Sequence, residues 1–275
     1  MKTCKTIAEF RTERAAFTQM GVVPTMGFLH EGHLSLIRRA KAECGAAAVT
    51  IFVNPTQFAP HEDFGRYPRA LARDLELVEA AGADLVFTPD VAEIYPAGYD
   101  VRVEVGGVTE RLEGEVRPVH FTGVATVVAK LFNITQPTRA YFGQKDAQQC
   151  VVIEKLVRDL NFATEIVVCP TVREPDGLAM SSRNAYLDET QRARASVLYR
   201  ALKAAEARYG EGARSAEALR AAVHLVLSET PEAGVDYVSV ADPTTLEELD
   251  QVTHGALISL AVRFGATRLI DNIRL

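Results

Sequence analysis

The chain of 275 residues has few cysteines, no basic excess and no long apolar run, and each shortage removes a class of function. Its four cysteines, Cys4, Cys44, Cys150 and Cys169, are widely scattered and form no CxxC pair. That spacing fits neither a zinc site nor a disulfide framework, and reads as reduced thiols in a cytoplasmic protein. Thirty lysines and arginines stand against 36 aspartates and glutamates, for a formal net charge of -6. A surface that grips nucleic-acid phosphates shows as basic excess, so no nucleic-acid partner is expected. No apolar run approaches the roughly 20 residues that cross a bilayer, and no membrane partner is expected. The opening segment, MKTCKTIAEFRTER, is too charged for a secretion signal.

Several nucleotide and nucleophile motifs are also missing. There is no GxxxxGK[ST], because no Gly-Lys pair occurs, and no GxGxxG. Asp63-Phe64-Gly65 imitates a kinase motif without its HRD partner, and GxSxG is absent. A covalent enzyme intermediate is therefore not indicated.

What is present is a large apolar fraction, 48%, enough for a proper core. In the first two thirds, strand-like runs (MGVVPT, AAVTIFV, DLVFTP, AYFG, TEIVVCP) alternate with helical ones. The helices are expected from about Gly32 to Cys44 and over ARDLELVEAAG, GVATVVAKLFN and QQCVVIEKLVRDL. That alternation predicts an α/β domain with a parallel sheet, whose ligands bind beyond the carboxyl ends of the strands. After about Glu174 the pattern becomes α+β. It comprises one long helix over TQRARASVLYRALKAAEARYGEG, a second over SAEALRAAVHLVLSE, a helical turn at TTLEELD, and strands at VDYVSVAD, GALISLAVRFG and TRLIDNIRL. The expected domains are 1–174 and 175–275.

The loops after the strands carry the chemistry. Met26-Gly27-Phe28-Leu29-His30-Glu31-Gly32-His33 sits between a strand and a helix. Glycines there let backbone approach a ligand, and a helix N-terminus offers unpaired N–H groups to phosphate. Imidazoles at i and i+3 can hydrogen-bond phosphoryl oxygens. A zinc reading is weaker, because His30-Glu31-Gly32-His33 is not HExxH. Asn54 and Gln57 end another strand, and their neutral donors suit a carboxylate that must stay nucleophilic. Taken alone, that stretch is also an ordinary Asn-Pro turn. Arg117 and His120 precede a helix; Gly143-Gln144-Lys145-Asp146 follows a short strand, with Gln149 in the helix after it; and Met180-Ser181-Ser182-Arg183 offers two hydroxyls and a guanidinium to a triphosphate.

HxGH, NPxQF, GQKDxQQ and MSSRN, in this order and at these separations, resemble the pantothenate synthetase family of HxGH nucleotidyltransferases. The resemblance implies a Rossmann-like N-terminal domain with a smaller C-terminal lid, usually dimeric. It implies an enzyme that adenylates pantoate with MgATP, releases pyrophosphate, and lets β-alanine attack the pantoyl adenylate. It places Met26 to His33, Gly143 to Asp146, Val172 and Met180 to Arg183 on ATP, with Lys145 on the phosphates. His33 takes the position of proton donor, with His30 and Lys145 beside it in the chemistry. Gln57 and Gln149 fall to pantoate, and Gln57 also to β-alanine; Asn54 joins the pantoate candidates on its neutral donors alone. Mg2+ is implied, with no protein ligand marked. Two residues depart from the family: Val119 where Gly is usual, which narrows that turn, and Gln144 where Glu is common. A nucleotidyltransferase that stops at AMP transfer to a phosphorylated acceptor would need a basic acceptor pocket, and the acceptor residues here are neutral.

Overall fold

The computed structural model describes residues 1–59 and 62–275. By packing, the chain forms two units: Met1–Gly143 with Val152–Cys169, and Gln144–Val151 with Pro170–Leu275. The sequence reading drew its boundary after residue 174.

The first unit holds a six-stranded parallel sheet: β1 (Lys2–Cys4), β2 (Gly21–Thr25), β3 (Ala47–Ile51), β4 (Leu85–Phe87), β5 (Arg139–Gly143) and β6 (Glu165–Cys169). Their order is β1-β4-β3-β2-β5-β6. The helices are α1 (Ile7–Arg14), α2 (Glu31–Cys44), α3 (Leu71–Ala80), α4 (Val91–Ile94), α5 (Glu113–Val116), α6 (His120–Thr135) and α7 (Ala147–Asp159), the last beginning in the second unit. The central strands β2 and β3 are apolar except for Thr25 and Thr50, as burial on both faces favours. Val22, Val23, Ala47, Ala48 and Val49 are all fully buried. One side of the core forms where Leu34, Ile37 and Ala40 of α2 meet Val23, Val49 and Tyr141.

Helix α6 is valine-rich, and valine costs a helix a few tenths of a kcal/mol per residue. Burial overrides that cost, because Val124, Val127, Val128 and Leu131 are all buried. Strand β1 and helix α1 left no clear apolar period in the sequence. Helix α1 is instead set by a capping box, with Thr6 accepting from the Glu9 N–H and Glu9 accepting from the Thr6 N–H. The strand order reverses between β2 and β5, and ligands favour that position at the carboxyl edge of such sheets.

The second unit holds three antiparallel strands, β7 (Ala233–Ala241), β8 (Leu257–Phe264) and β9 (Thr267–Arg274), with helices α8 (Glu189–Ala195), α9 (Val197–Gly210) and α10 (Ala216–Leu227). Leu198, Leu202, Leu219 and Val223 pack on Ile258, Leu260 and Val262 in its core. One expectation is corrected here. The long helix is two, broken at Ser196, whose hydroxyl donates to the Ala193 carbonyl at 3.4 Å and competes with the helix ladder. TTLEELD opens on a single turn, closed by the Leu246 N–H donating to the Asp242 carbonyl at 3.0 Å. The Asp242 carboxylate accepts from the N–H groups of Thr244 and Thr245 at 2.8 and 2.7 Å, and Leu246 turns left-handed at φ 59°.

Candidate active site

In the first unit, β2 ends at Thr25, whose hydroxyl donates to the Thr50 carbonyl and accepts from the Gly27 N–H. The chain then turns through two left-handed residues, Gly27 at φ 80° and Phe28 at φ 50°. For Phe28 that conformation is strained, and it persists only where neighbours hold it. The holder is Asp74 on α3, a carboxylate only 1% exposed. Its two oxygens accept from the N–H groups of Phe28 at 2.7 Å and Leu29 at 2.8 Å. Arg73 beside it donates to the Leu29 carbonyl at 3.2 Å and stacks over the Phe28 ring.

His30 is the N-cap residue of α2, and His33 lies in its first turn. Their rings sit 4.1 Å apart between centroids, and the His30 N–H donates to His33 Nδ1 at 3.3 Å. With Nδ1 accepting, the neutral His33 ring carries its proton on Nε2, which makes that atom a donor toward a ligand. Gly32 leaves room beneath the pair: a Cβ there would come within 2.9 Å of the His30 ring and push it aside. The Glu31 side chain is exposed and paired with Arg38, so Glu31 offers the loop its backbone.

Asp74→Ala would release the two loop N–H groups and let Phe28 relax. The expected result is a kcat at least tenfold lower, with partial recovery in Asp74→Asn, which keeps one acceptor oxygen. Steady-state kinetics on both variants checks this; equal and normal kcat values would remove Asp74 from the loop's support.

Asn54 and Gln57 follow β3 around a short 3-10 turn, Pro55–Gln57. Asn54 is 1% exposed and its amide is fully used. Nδ2 donates to Gln57 Oε1 and to the Gly123 carbonyl, both at 3.1 Å. Oδ1 accepts from the Tyr95 hydroxyl at 2.8 Å, the Thr56 hydroxyl at 2.9 Å and the Thr56 N–H at 3.3 Å. Asn54 therefore has no amide hydrogen left for a ligand. Gln57 Nε2 points the other way and donates to Met26 Sδ at 3.3 Å, so the structure brings Met26 and Gln57 together.

Helix α6 closes on this turn from behind. A Cβ on Gly123 would meet the Thr56 carbonyl oxygen at 2.4 Å and the Gln57 N at 2.6 Å, so only glycine allows that approach. His120 Nδ1 lies 3.0 Å from the Gln57 carbonyl, which makes Nδ1 the protonated nitrogen of the neutral ring. Arg117 holds Glu62 by two bonds, at 2.6 and 2.9 Å. Burial raises the Glu62 carboxyl, and the guanidinium more than offsets it, so the carboxyl ends below its ordinary value. Val119 does not strain this region: it is right-handed at φ -92°, ψ -11°, and exposed.

Burial, aided by the Arg117 charge, pushes His120 down from 6.5 to about 4. The unfolded chain therefore takes up this proton first as pH falls. Stability from the neutral imidazole is complete above pH 6.5 and lost between pH 6.5 and 4, by about 3 kcal/mol. Urea midpoints over that range should fall more steeply in the natural chain than in His120→Gln; identical acid branches would contradict it.

In the second unit, Gln144–Asp146 forms a turn between β5 and α7. Asn272 of β9 clasps it: Nδ2 donates to the Gln144 and Lys145 carbonyls at 2.9 Å each, while Gln144 Nε2 donates to Asn272 Oδ1 at 2.9 Å. Gln144 thus supplies a donor that Glu would lack. Lys145 lies 3.4 Å from the Asp146 carboxylate and lines a small cleft with Ser181, Asn184 and Asp271. Gln149 is half-buried in the first turn of α7. The Met180 N–H donates to the Val172 carbonyl at 3.0 Å, so these two expected nucleotide contacts adjoin. Ser181 caps the turn beginning at Ser182, accepting from the Arg183 N–H at 3.3 Å. Beneath them Arg173 grips Asp271 through two bonds, at 2.6 and 2.9 Å.

Sequence reading missed Asp74, Tyr95, Asn272 and the Arg173–Asp271 pair. For Asp74 a signal existed: it stands four residues before Val78, on the buried stripe of α3. Among the described residues no three His, Cys, Asp or Glu side chains converge into a metal cage. Nor is any helix among them long and apolar enough to cross a membrane.

The model of the family described as Pantoate-beta-alanine ligase matches residues 2–274. A pantothenate synthetase of Chloroflexus aggregans is 64% identical over 273 residues, 99% of each chain. One of Herpetosiphon aurantiacus is 60% identical over 274 residues, again 99% of each. Among solved structures, a pantothenate synthetase from Thermus thermophilus matches with a TM-score of 0.96 at 50% identity, covering 99% of both chains. Pantoate-beta-alanine ligase from Francisella tularensis, complexed with beta-gamma ATP and beta-alanine, matches with a TM-score of 0.82 at 36% identity, covering 99% of this chain and 97% of that one.

Proposed function

The chain belongs to the pantoate-beta-alanine ligase family, and on that premise we propose that it condenses (R)-pantoate with β-alanine, using ATP, to give pantothenate, AMP and pyrophosphate. The observation that carries the reading is the full-length family match, together with the His30–His33 pair at the start of α2. In the first step the pantoate carboxylate attacks the α-phosphorus and pyrophosphate leaves. A carboxylate needs no general base, so this step needs alignment and donors for the charge that develops. His33 Nε2–H, His30 and Lys145 are the proposed donors. The loop from Met26 to His33, the segment Gly143 to Asp146, Val172, and Met180 to Arg183 are the proposed nucleotide contacts.

In the second step the β-alanine amine attacks the acyl carbon of the pantoyl adenylate, AMP leaves, and the amine loses a proton. The His33 ring, with Nδ1 accepting from the His30 N–H and a proton on Nε2, serves as a donor to the departing phosphate, and the amine's proton passes to solvent or to the AMP phosphate that leaves. Gln57 and Gln149 are the proposed pantoate contacts, with Gln57 also beside β-alanine, and Asn54 stands behind Gln57 rather than against pantoate.

Mg2+ fits this site as a companion of the nucleotide. Mg2+ commonly keeps waters and phosphate oxygens and takes only one or two carboxylates, so no cage is needed. Asp146 is the carboxylate that the Gly143–Asp146 segment provides. When bound, Mg2+ supplies neutralisation of triphosphate charge. The four cysteines are buried thiols outside any disulfide, which supports a cytoplasmic setting. The family resemblance supports a homodimer, which sedimentation of the pure chain tests.

The deciding experiment supplies ATP, pantoate and β-alanine together and then omits each in turn. Pantothenate should form with one AMP per product, and should stop when any substrate is missing. ADP and phosphate in place of AMP and pyrophosphate would overturn the adenylate route.

A further inference from the structure

The polarity of the Gln57 amide is not set by Gln57 itself. A glutamine side chain presents N–H from one end and C=O from the other, and only neighbouring bonds decide which end faces a ligand. Pantoate, as a carboxylate and a diol, gains most from an N–H aimed at its carboxylate oxygens. A C=O aimed there would repel them.

We propose that Tyr95, acting through Asn54, fixes the Gln57 amide so that its N–H end is the one turned toward the acid substrate. Both are then positioning residues, and the inference rests on the reading of Gln57 as a pantoate contact. Two backbone groups fix the direction of the chain of bonds: the Thr56 N–H can only donate and the Gly123 carbonyl can only accept. The Tyr95 hydroxyl can donate one hydrogen, and at 2.8 Å from Asn54 Oδ1 it donates there. The Thr56 hydroxyl and N–H donate to the same oxygen, at 2.9 and 3.3 Å. The Thr56 N–H identifies that atom as the oxygen and leaves the other end as the NH2 group; the two hydroxyls lie 3.2 Å from each other, and this oxygen is the acceptor they share. That NH2 group has two acceptors in reach, Gln57 Oε1 and the Gly123 carbonyl, both at 3.1 Å. Gln57 Oε1 is thereby engaged, and Nε2 is the end released toward Met26.

The upstream group is a dependable donor. Burial pushes the Tyr95 hydroxyl up to about 12, so it keeps its proton through the neutral range. Its ring is held at one edge by Phe52, at 6.2 Å between centroids, and at another by Tyr99, at 5.0 Å. The Lys130 ammonium lies over both tyrosine rings, 5.8 Å from Tyr95 and 4.4 Å from Tyr99. Every residue in the relay belongs to the first unit.

Two substitutions separate orientation from mere packing. Tyr95→Phe keeps the ring and deletes the hydroxyl. Asn54→Asp keeps the shape and replaces the NH2 group by an oxygen, which faces Gln57 Oε1 and drives that amide to flip. The flipped amide turns Oε1 toward the pantoate carboxylate. The measurements are KM for pantoate, KM for ATP and kcat for both variants and for Gln57→Ala, with thermal midpoints alongside. The expected result is a pantoate KM raised about fivefold in Tyr95→Phe, the loss of one ordinary hydrogen bond. Asn54→Asp should raise it at least fiftyfold, and beyond the effect of Gln57→Ala, because a repelling group is worse than a missing one. The KM for ATP should stay within twofold throughout.

If Gln57→Ala raises the pantoate KM while Tyr95→Phe leaves it unchanged, the relay is overturned and the pantoate reading of Gln57 stands. If Gln57→Ala itself leaves the pantoate KM unchanged, that reading falls and the relay with it. If Tyr95→Phe raises both KM values equally and lowers the thermal midpoint, its role is structural and the relay is likewise overturned. Tyr95→Phe also guards against failure of Asn54→Asp to fold, since it buries no new charge.

Discussion

His33→Ala lowers turnover at least a hundredfold and leaves ATP binding largely intact. The expectation comes from the direction of one hydrogen bond. The His30 N–H occupies His33 Nδ1 at 3.3 Å, so the neutral imidazole offers Nε2–H. A donor placed where charge develops on phosphoryl oxygens acts mainly in the transition state, and losing one such donor costs on the order of 10²–10³ in rate. Most of the loop backbone is held by Asp74 and the Gly27–Phe28 turn, and the His33 ring holds only the His30 N–H, so the nucleotide's other backbone contacts survive. Single-turnover kinetics with ATP titration checks both halves of the statement. Near-normal turnover would exclude His33 from the chemistry, and a large rise in the ATP dissociation constant would make it a binding residue instead.

Arg173→Met destabilises the second unit by about 3–5 kcal/mol, the usual cost of leaving a buried charge without its partner. Asp271 is 1% exposed in its side chain and Arg173 16%. Burial holds the Asp271 carboxyl above its ordinary value, and the Arg173 guanidinium is the main group opposing that rise. Arg173 does more than neutralise. It donates to the Gly177 carbonyl at 3.1 Å and lies 3.9 Å from the centre of the Tyr199 ring. The double variant Arg173→Met with Asp271→Leu removes both charges and should recover much of the loss. Denaturant unfolding of the natural chain and the two variants decides this. A loss below about 1 kcal/mol in Arg173→Met would mean that the carboxyl is tolerated as a neutral acid.

The alternation of apolar runs made the parallel sheet legible, because strands buried on both faces read as nearly continuous apolar runs, as in Ala47–Val49. The His30–His33 loop was legible for a similar reason: two glycines and two histidines at a strand-to-helix turn have few structural uses. What stayed hidden depends on partners distant in sequence. Tyr95 meets Asn54 across 41 positions, and Asn272 meets Gln144 across 128. Such bonds leave no period in the chain. Asp74 looked like one more charge on an amphipathic helix until its depth was known. Among the pantoate candidates, Gln57 was marked by its residue type, whereas the internal use of the whole Asn54 amide could be seen only in three dimensions.

The central claim is that the carboxylate is activated on ATP before the amine arrives. It is tested most directly by exchange of labelled pyrophosphate into ATP, with pantoate present and β-alanine absent. Exchange that requires pantoate, with net AMP release only after β-alanine is added, is the expected result. No exchange with pantoate alone, alongside normal pantothenate formation when all three substrates are present, would contradict a discrete pantoyl adenylate.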